Sequence, residues 1–199
     1  MDAIITELIQ DQPFQIIQNR IAEILAVEIT NQKALQGLDS DFEVYVERIE
    51  PYASTEDVLI TIASKQQENV EYTQSQSKTE NLYFIDIFAG GIENGNQSLS
   101  ENVRLKLFKY VGLVKYILNS GKYDTLGFPR GLIMNRHIKK ITFDTEYSNW
   151  GNHSNYDAMG IRFCRLLYMV TAIESTENWE GIPLQGNTTT INNKIKLIK

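Results

Sequence analysis

The residue types in this chain that could do chemistry are few. Two histidines, His137 and His153, stand near Asp144, Glu146 and Asp157, a set that could hold a divalent metal or pair a general base with a carboxylate. Either use needs ligands spaced so that they share one face of an element, as in H-x-x-x-H or H-E-x-x-H, and the sequence contains no such grouping. Asp144 and Glu146, two residues apart, match the solvent-facing side of a strand. Cys164 is the only cysteine, so an intramolecular disulfide and a multi-cysteine zinc site are both excluded. It follows Phe163 in an apolar segment, the setting of a small buried side chain rather than of an activated thiolate. Neither a G-x-S-x-G elbow nor a phosphate-cradling G-x-x-x-x-G-K sequence occurs.

The sharpest catalytic motif is Phe84 to Gly91, FIDIFAGG, which looks like the S-adenosylmethionine-binding segment of cytosine-5 DNA methyltransferases; Glu101-Asn102-Val103 echoes a triplet of the same family. That chemistry requires a glycine turn at a strand end, so that the cofactor can approach the backbone. Ile92 occupies the position of the second glycine, the proline–cysteine dipeptide that supplies the family's nucleophile is missing, and the E-N-V triplet follows the glycines too closely. The expectation is therefore a protein that is not an enzyme, with no catalytic residue, cofactor or metal. Trp150 and Trp179 lie in polar surroundings, NWGNHSN and ENWEG, where an aromatic serves either to pack a loop or to anchor a partner.

The whole chain sets the bounds. Its 199 residues, 42% hydrophobic and 22% charged, suit one globular domain with a packed core. A net charge of −6 opposes general nucleic-acid binding, which needs clustered cations. The short basic groups Arg136, Lys139 and Lys140, and Lys194, Lys196 and Lys199, read as solvated surface. No run approaches the roughly 18 apolar residues of a membrane helix, and no basic leader with a cleavage site opens the chain, so a soluble protein with no membrane partner is expected.

Periodicity places the elements. Ile4, Ile5, Leu8 and Ile9, then Phe14, Ile17, Ile21, Ile24 and Leu25, make an apolar helical stripe in one or two helices, with a break near residue 12, Asp11 as cap and Pro13 in the first turn. Alternation predicts strands over 41–50, ended by Pro51, over 58–63, and over the aromatic segment 81–89. The Gln-rich stretch 64–80 between the last two reads as a polar excursion that projects from the core. Ser98 and Glu101 form a capping box for a helix carrying Val103, Leu107, Val111, Val114 and Leu118, stopped at Gly121, with Arg104, Lys106, Lys109 and Lys115 on its wet face. Strands over 138–147 and 160–173 follow, and the second is apolar on both faces, so both need cover. The fold class is α+β: a mostly antiparallel sheet packed by an N-terminal helix region and one long central helix, with a polar excursion and an extended C-terminal tail.

This order of elements resembles the tail terminator and neck, or head–tail joining, proteins of tailed bacteriophages. The resemblance rests on the opening helix, the LYFIDIF strand before the RLKLFKYVGLVKYIL helix, and the closing IRFCRLLYMVTAI strand, and covers roughly Met1 to Ser175. It implies a virion structural protein, made in the host cytoplasm, that forms a homo-oligomeric ring, usually a hexamer, at the head-proximal end of the tail or in the neck. The ring would cap the tail tube and join it to the head through connector proteins, with DNA only as passing cargo in the lumen. A neck stopper or head-completion ring is the related alternative; a small monomeric binding module or an S-adenosylmethionine-binding enzyme is the alternative of another class. Residues 1–179 are expected to form the single domain and 180–199 a C-terminal arm. The expected subunit contacts are Tyr72, Gln74 and Gln76 on the excursion, the loop residue Trp150, and Trp179, Ile182, Leu184, Ile191, Ile195 and Leu197 around the tail.

Overall fold

The computed structural model describes residues 11–48, 57–72, 76–90, 99–143 and 161–175. Its elements run α1 (Pro13–Gln36), β1 (Phe42–Val46), β2 (Val58–Tyr72), β3 (Gln76–Ala89), α2 (Leu99–Asn119), β4 (Ile133–Phe143) and β5 (Arg162–Ser175). The strands form one five-stranded sheet in the order β1-β2-β3-β5-β4. β1 lies parallel to β2, and the other three pairings are antiparallel, which establishes the α+β class.

Both helices lie on one face of this sheet because their apolar stripes have nowhere else to go. Helix α1 buries Ile17, Ile21, Ile24, Leu25 and Ile29, and α2 buries Val103, Leu107, Tyr110, Val111, Val114 and Leu118. The sheet meets them with one alternating set from each inner strand: Val58, Ile60 and Ile62 of β2; Tyr83, Ile85, Ile87 and Ala89 of β3; Cys164, Leu166, Tyr168, Val170 and Ala172 of β5. These residues form one continuous hydrophobic core.

The helix ends differ from expectation in detail. The cap of α1 is Gln12, not Asp11: the Gln12 backbone N–H donates to the Gln15 side chain at 3.0 Å, while the Gln12 carbonyl accepts from the Gln15 N–H at 2.9 Å. Pro13 takes the first helical position, where its missing donor costs nothing. At the other end Gly37 turns left-handed with φ +61°, a conformation glycine adopts without strain. Helix α2 stops at Asn119, before Gly121, which instead opens a short 3₁₀ turn, Gly121–Tyr123. The stop is made from β4. Arg136 donates to the carbonyls of Leu118 and, at 2.6 Å, Ser120, and pairs with Asp124 at 2.9 Å, so it is a buried cap and not the solvated cation its sequence context suggests.

The larger correction concerns the polar stretch 64–80, which is not a loop. β2 continues to Tyr72 and β3 begins at Gln76, paired to Tyr72↔Ser77 with register shifts between Ser64 and Gln66 and between Asn69 and Glu71. β5 runs beside this hairpin to Gln76↔Ser175, so a three-stranded arm extends from the helix-covered sheet. A ladder is held by backbone hydrogen bonds whatever the side chains are, and this one carries polar residues on both faces. The first strand is shorter than expected, ending at Val46; Glu47 adopts φ +51° and its N–H donates to the Ile62 carbonyl at 3.0 Å. β4 begins at Ile133, earlier than the expected residue 138.

The core assignment makes a direct prediction. Ile85→Ala removes a fully buried side chain from the central strand and should lower unfolding free energy by roughly 2–5 kcal/mol. Leu105→Ala, on the exposed side of α2, should change it by no more than about 0.5 kcal/mol. Urea unfolding followed by circular dichroism measures both.

Candidate assembly surfaces

The residues with catalytic potential are placed where they serve the fold. Cys164 is fully buried in the core face of β5. His137 lies in β4 opposite Met169, on the sheet face away from the helices; His153, Asp144, Glu146 and Asp157 lie outside the described residues, among which no cluster of three or more metal-ligating side chains occurs. The FIDIFAG segment forms the end of β3, whose neighbours on both sides are antiparallel. A cofactor crevice of the doubly wound kind forms between parallel strands at a switch point, and this strand has none beside it. Its glycine end is tied down as well: the Gly90 N–H donates to the Asp57 carbonyl at 2.9 Å, and the Gly90 carbonyl accepts from Lys106 at 2.9 Å, with Lys106 also paired to the Asp57 carboxylate.

Asp86, at the centre of that motif, is engaged on the sheet face opposite the helices. Arg165 from β5 donates to both of its carboxylate oxygens at 2.7 Å, the bidentate geometry a guanidinium favours. The guanidinium also lies over the Phe84 ring, 4.0 Å from its centroid. Burial pushes the Asp86 carboxyl above its ordinary value, and the hydrogen bonds and charge of Arg165 draw it back without cancelling that rise. Around this pair the face is apolar: Tyr45, Leu59 and Ile161 cluster with Phe88, whose ring sits 4.7 Å from that of Phe163.

Exposed apolar side chains occur singly on α1 (Val27, Leu35), β2 (Val70) and β4 (Met134), and several stand together on α2. Leu105, Phe108 and Tyr116 are exposed, Tyr116 to 79%, and Phe143 of β4 meets Phe108 edge to face at 5.3 Å. Arg104 lies over the Phe108 ring, 5.5 Å from its centre. The sequence carried this signal: Leu105, Phe108, Gly112 and Tyr116 recur at helical spacing as a second stripe beside the core stripe, among the cations assigned to the wet face.

Of the expected contact residues, two fall on the arm. Tyr72 closes β2 opposite Ser77, and Gln76 opens β3, exposed, opposite Ser175. Gln74, Trp150, Trp179, Ile182, Leu184, Ile191, Ile195 and Leu197 lie outside the described residues. So does Ser98 of the expected capping box.

No family model matches the chain, and no curated protein matches it. Among solved structures it is similar to the sheath/tube terminator of an extracellular contractile injection system, PVC, in its extended state, at 11% identity and a TM-score of 0.39. The alignment covers 95% of this chain and 66% of that one, so the chain spans just under two thirds of the terminator's length.

The buried ion pair fixes a pH dependence. The Asp86 carboxyl titrates higher in the folded chain than its ordinary 3.8, so the folded state holds the proton more tightly than the unfolded state does. The contribution of Asp86 to stability is therefore largest below the ordinary carboxylate value and falls as pH rises through the raised value. Asp86→Asn should abolish that slope, leaving the difference between wild type and variant to fall with rising pH across the acidic range. At neutral pH Asp86→Ala should cost about 1–3 kcal/mol, because Arg165 loses its bidentate carboxylate partner. Thermal melts across a pH series test both statements.

Proposed function

We propose that this chain is a structural, non-catalytic subunit of a phage-type tail, working as a homo-oligomeric ring, with a hexamer as the expected copy number, that caps the tail tube at its head-proximal end. The observation that carries the reading is the row of large apolar side chains left on the surface of α2 beside Phe143. A helix already buried along one stripe also exposes Leu105, Phe108 and Tyr116 at helical spacing, and large apolar side chains left exposed on one helix are what a protein contact would cover. The order of elements supports it: the opening helix, the aromatic strand before the long helix and the closing strand β5 are those on which the resemblance to tail terminators rests, while the polar arm departs from the shortest of those proteins. An acidic balance suits a channel through which DNA slides without sticking.

In this reading the arm residues Tyr72, Gln74 and Gln76, together with Trp150 and the segment around Trp179, Ile182, Leu184, Ile191, Ile195 and Leu197, face neighbouring subunits. A neck stopper ring would use the same surfaces against a different neighbour.

Light scattering over a concentration series, repeated with tail tube subunits added, is the test. A ring mass, alone or induced by tube subunits, is the expected outcome; a monomer that ignores tube subunits overturns the proposal. Deleting residues 181–199 should lower assembly more than it lowers the melting temperature, and Tyr116→Ser, at the most exposed of these side chains, should reduce association while changing monomer stability by about 0.5 kcal/mol or less.

A further inference from the structure

The two edges of the sheet carry opposite charge. Residues 39–47, which contain β1, read DSDFEVYVE, with four acids and no lysine or arginine; residues 130–143, which contain β4, read RGLIMNRHIKKITF, with Arg130, Arg136, Lys139 and Lys140 and no acid. β1 and β4 are the first and last strands of the order β1-β2-β3-β5-β4, so the acidic and basic margins stand at opposite ends of the sheet, about 19 Å apart at the usual strand spacing. From these margins we infer that the basic edge of one subunit docks alongside the acidic edge of a second copy of the same chain, head to tail. The inference deepens the ring reading proposed above and rests on it.

The particular residues favour this occupant. Arg136 spends its charge inside the fold as the cap of α2, but Lys139 and Lys140 are exposed and form no ion pair among the described residues. They sit at a register shift between Ile138 and Lys140, where an edge strand bends away from its ladder. Lysines and a bulge on an edge repel neutral or basic strands, which is how natural sheets avoid indiscriminate pairing. They leave an acidic margin as the partner that gains from approach. On the opposite side Asp39 is exposed and forms no ion pair among the described residues; Asp41 pairs with Lys33 at 2.8 Å, Glu43 accepts from the Tyr45 hydroxyl and Glu47 accepts from Gln18 and the Ser64 N–H, so the margin keeps a net negative charge with Asp39 as its uncommitted acid.

Direction and symmetry agree. β1 is parallel to β2, and each further step across the sheet reverses direction, so β4 runs antiparallel to β1 within one subunit. A neighbour in the same orientation therefore brings its β1 margin antiparallel to β4. Because the two patches differ, the contact is heterologous, the kind that builds a ring when its rotation closes and a filament when it does not.

Charge reversal tests this on the full chain. Lys139→Glu with Lys140→Glu, and separately Asp39→Lys with Glu43→Lys, each place like charges across the contact. Each should raise the protein concentration needed for half-assembly by about tenfold or more at low salt, with melting temperatures and circular dichroism reporting that the fold is kept. An equimolar mixture of the two double variants restores attraction at every contact and should recover the ring mass, and recovery should weaken with added salt. Wild-type assembly unchanged in both double variants would overturn the docking while leaving the ring itself standing. Failure of two folded variants to reassemble when mixed would do the same. Loss of duplex DNA binding in the lysine variant at unchanged ring mass would assign the cations to nucleic acid and also overturn it. A wild-type chain that stays monomeric with and without tube subunits would remove both the docking and the ring.

Discussion

Everything in this fold leans on the inner face of β3. Tyr83, Ile85, Ile87 and Ala89 are fully buried there, and β2 and β5 pair with the strand along its whole length. Helix α1 reaches this row directly: the Tyr83 hydroxyl donates to the Phe14 carbonyl at 2.9 Å, in the first turn of the helix, and burial holds that phenol far above its usual ionisation range. Helix α2 packs beside α1 on the same face, over β3 and β5. An apolar row held between two ladders and under two helices is rigid because each neighbour removes a different freedom, the ladders fixing register and the helices fixing which face is inside.

Two arginines tie the outer elements to that centre, and each does so by answering a polar group that folding would otherwise strand. Arg165 meets the buried carboxylate of Asp86 across β3 and β5, on the face away from the helices. Arg136 meets the last carbonyls of α2 from β4, the outermost strand, so the edge of the sheet is coupled to the end of the helix that covers it. The same guanidinium lies beside Tyr168, whose phenol burial raises and Arg136 lowers. A lysine could not serve at either place, since both need several directed donors from one planar group.

The core was legible in the sequence because burial imposes a period. Ile17, Ile21, Ile24 and Leu25 of α1, Val103, Leu107, Val111, Val114 and Leu118 of α2, and Cys164, Leu166, Tyr168 and Val170 of β5 are all in the buried set, whereas Phe14 is only half-buried. The arm was not legible for the converse reason: beyond the helices the pattern of apolar residues fades, while the backbone ladder that makes a strand leaves no mark on side-chain composition. Arg136 was misread on similar grounds, since a cation beside two lysines looks solvated unless one knows that a helix ends against it. The methyltransferase-like glycines were legible as letters only. Their meaning depends on the direction of the neighbouring strands, and both run antiparallel here.

This division between what burial dictates and what it does not also separates fold from assembly. A side chain inside the core is constrained by every neighbour, and its identity is close to determined by volume and period. Lys139, Lys140, Asp39 and the second stripe of α2 face no such constraint within one chain: the lysines cost solubility nothing, and Leu105, Phe108 and Tyr116 give the monomer little by staying exposed. Large apolar side chains on a wet helix face, and two sheet edges of opposite sign, are features that a solitary subunit does not need. They gain a physical rationale once a second copy is brought to the sheet's edge, where unlike charges meet and the direction of the strands already permits the contact.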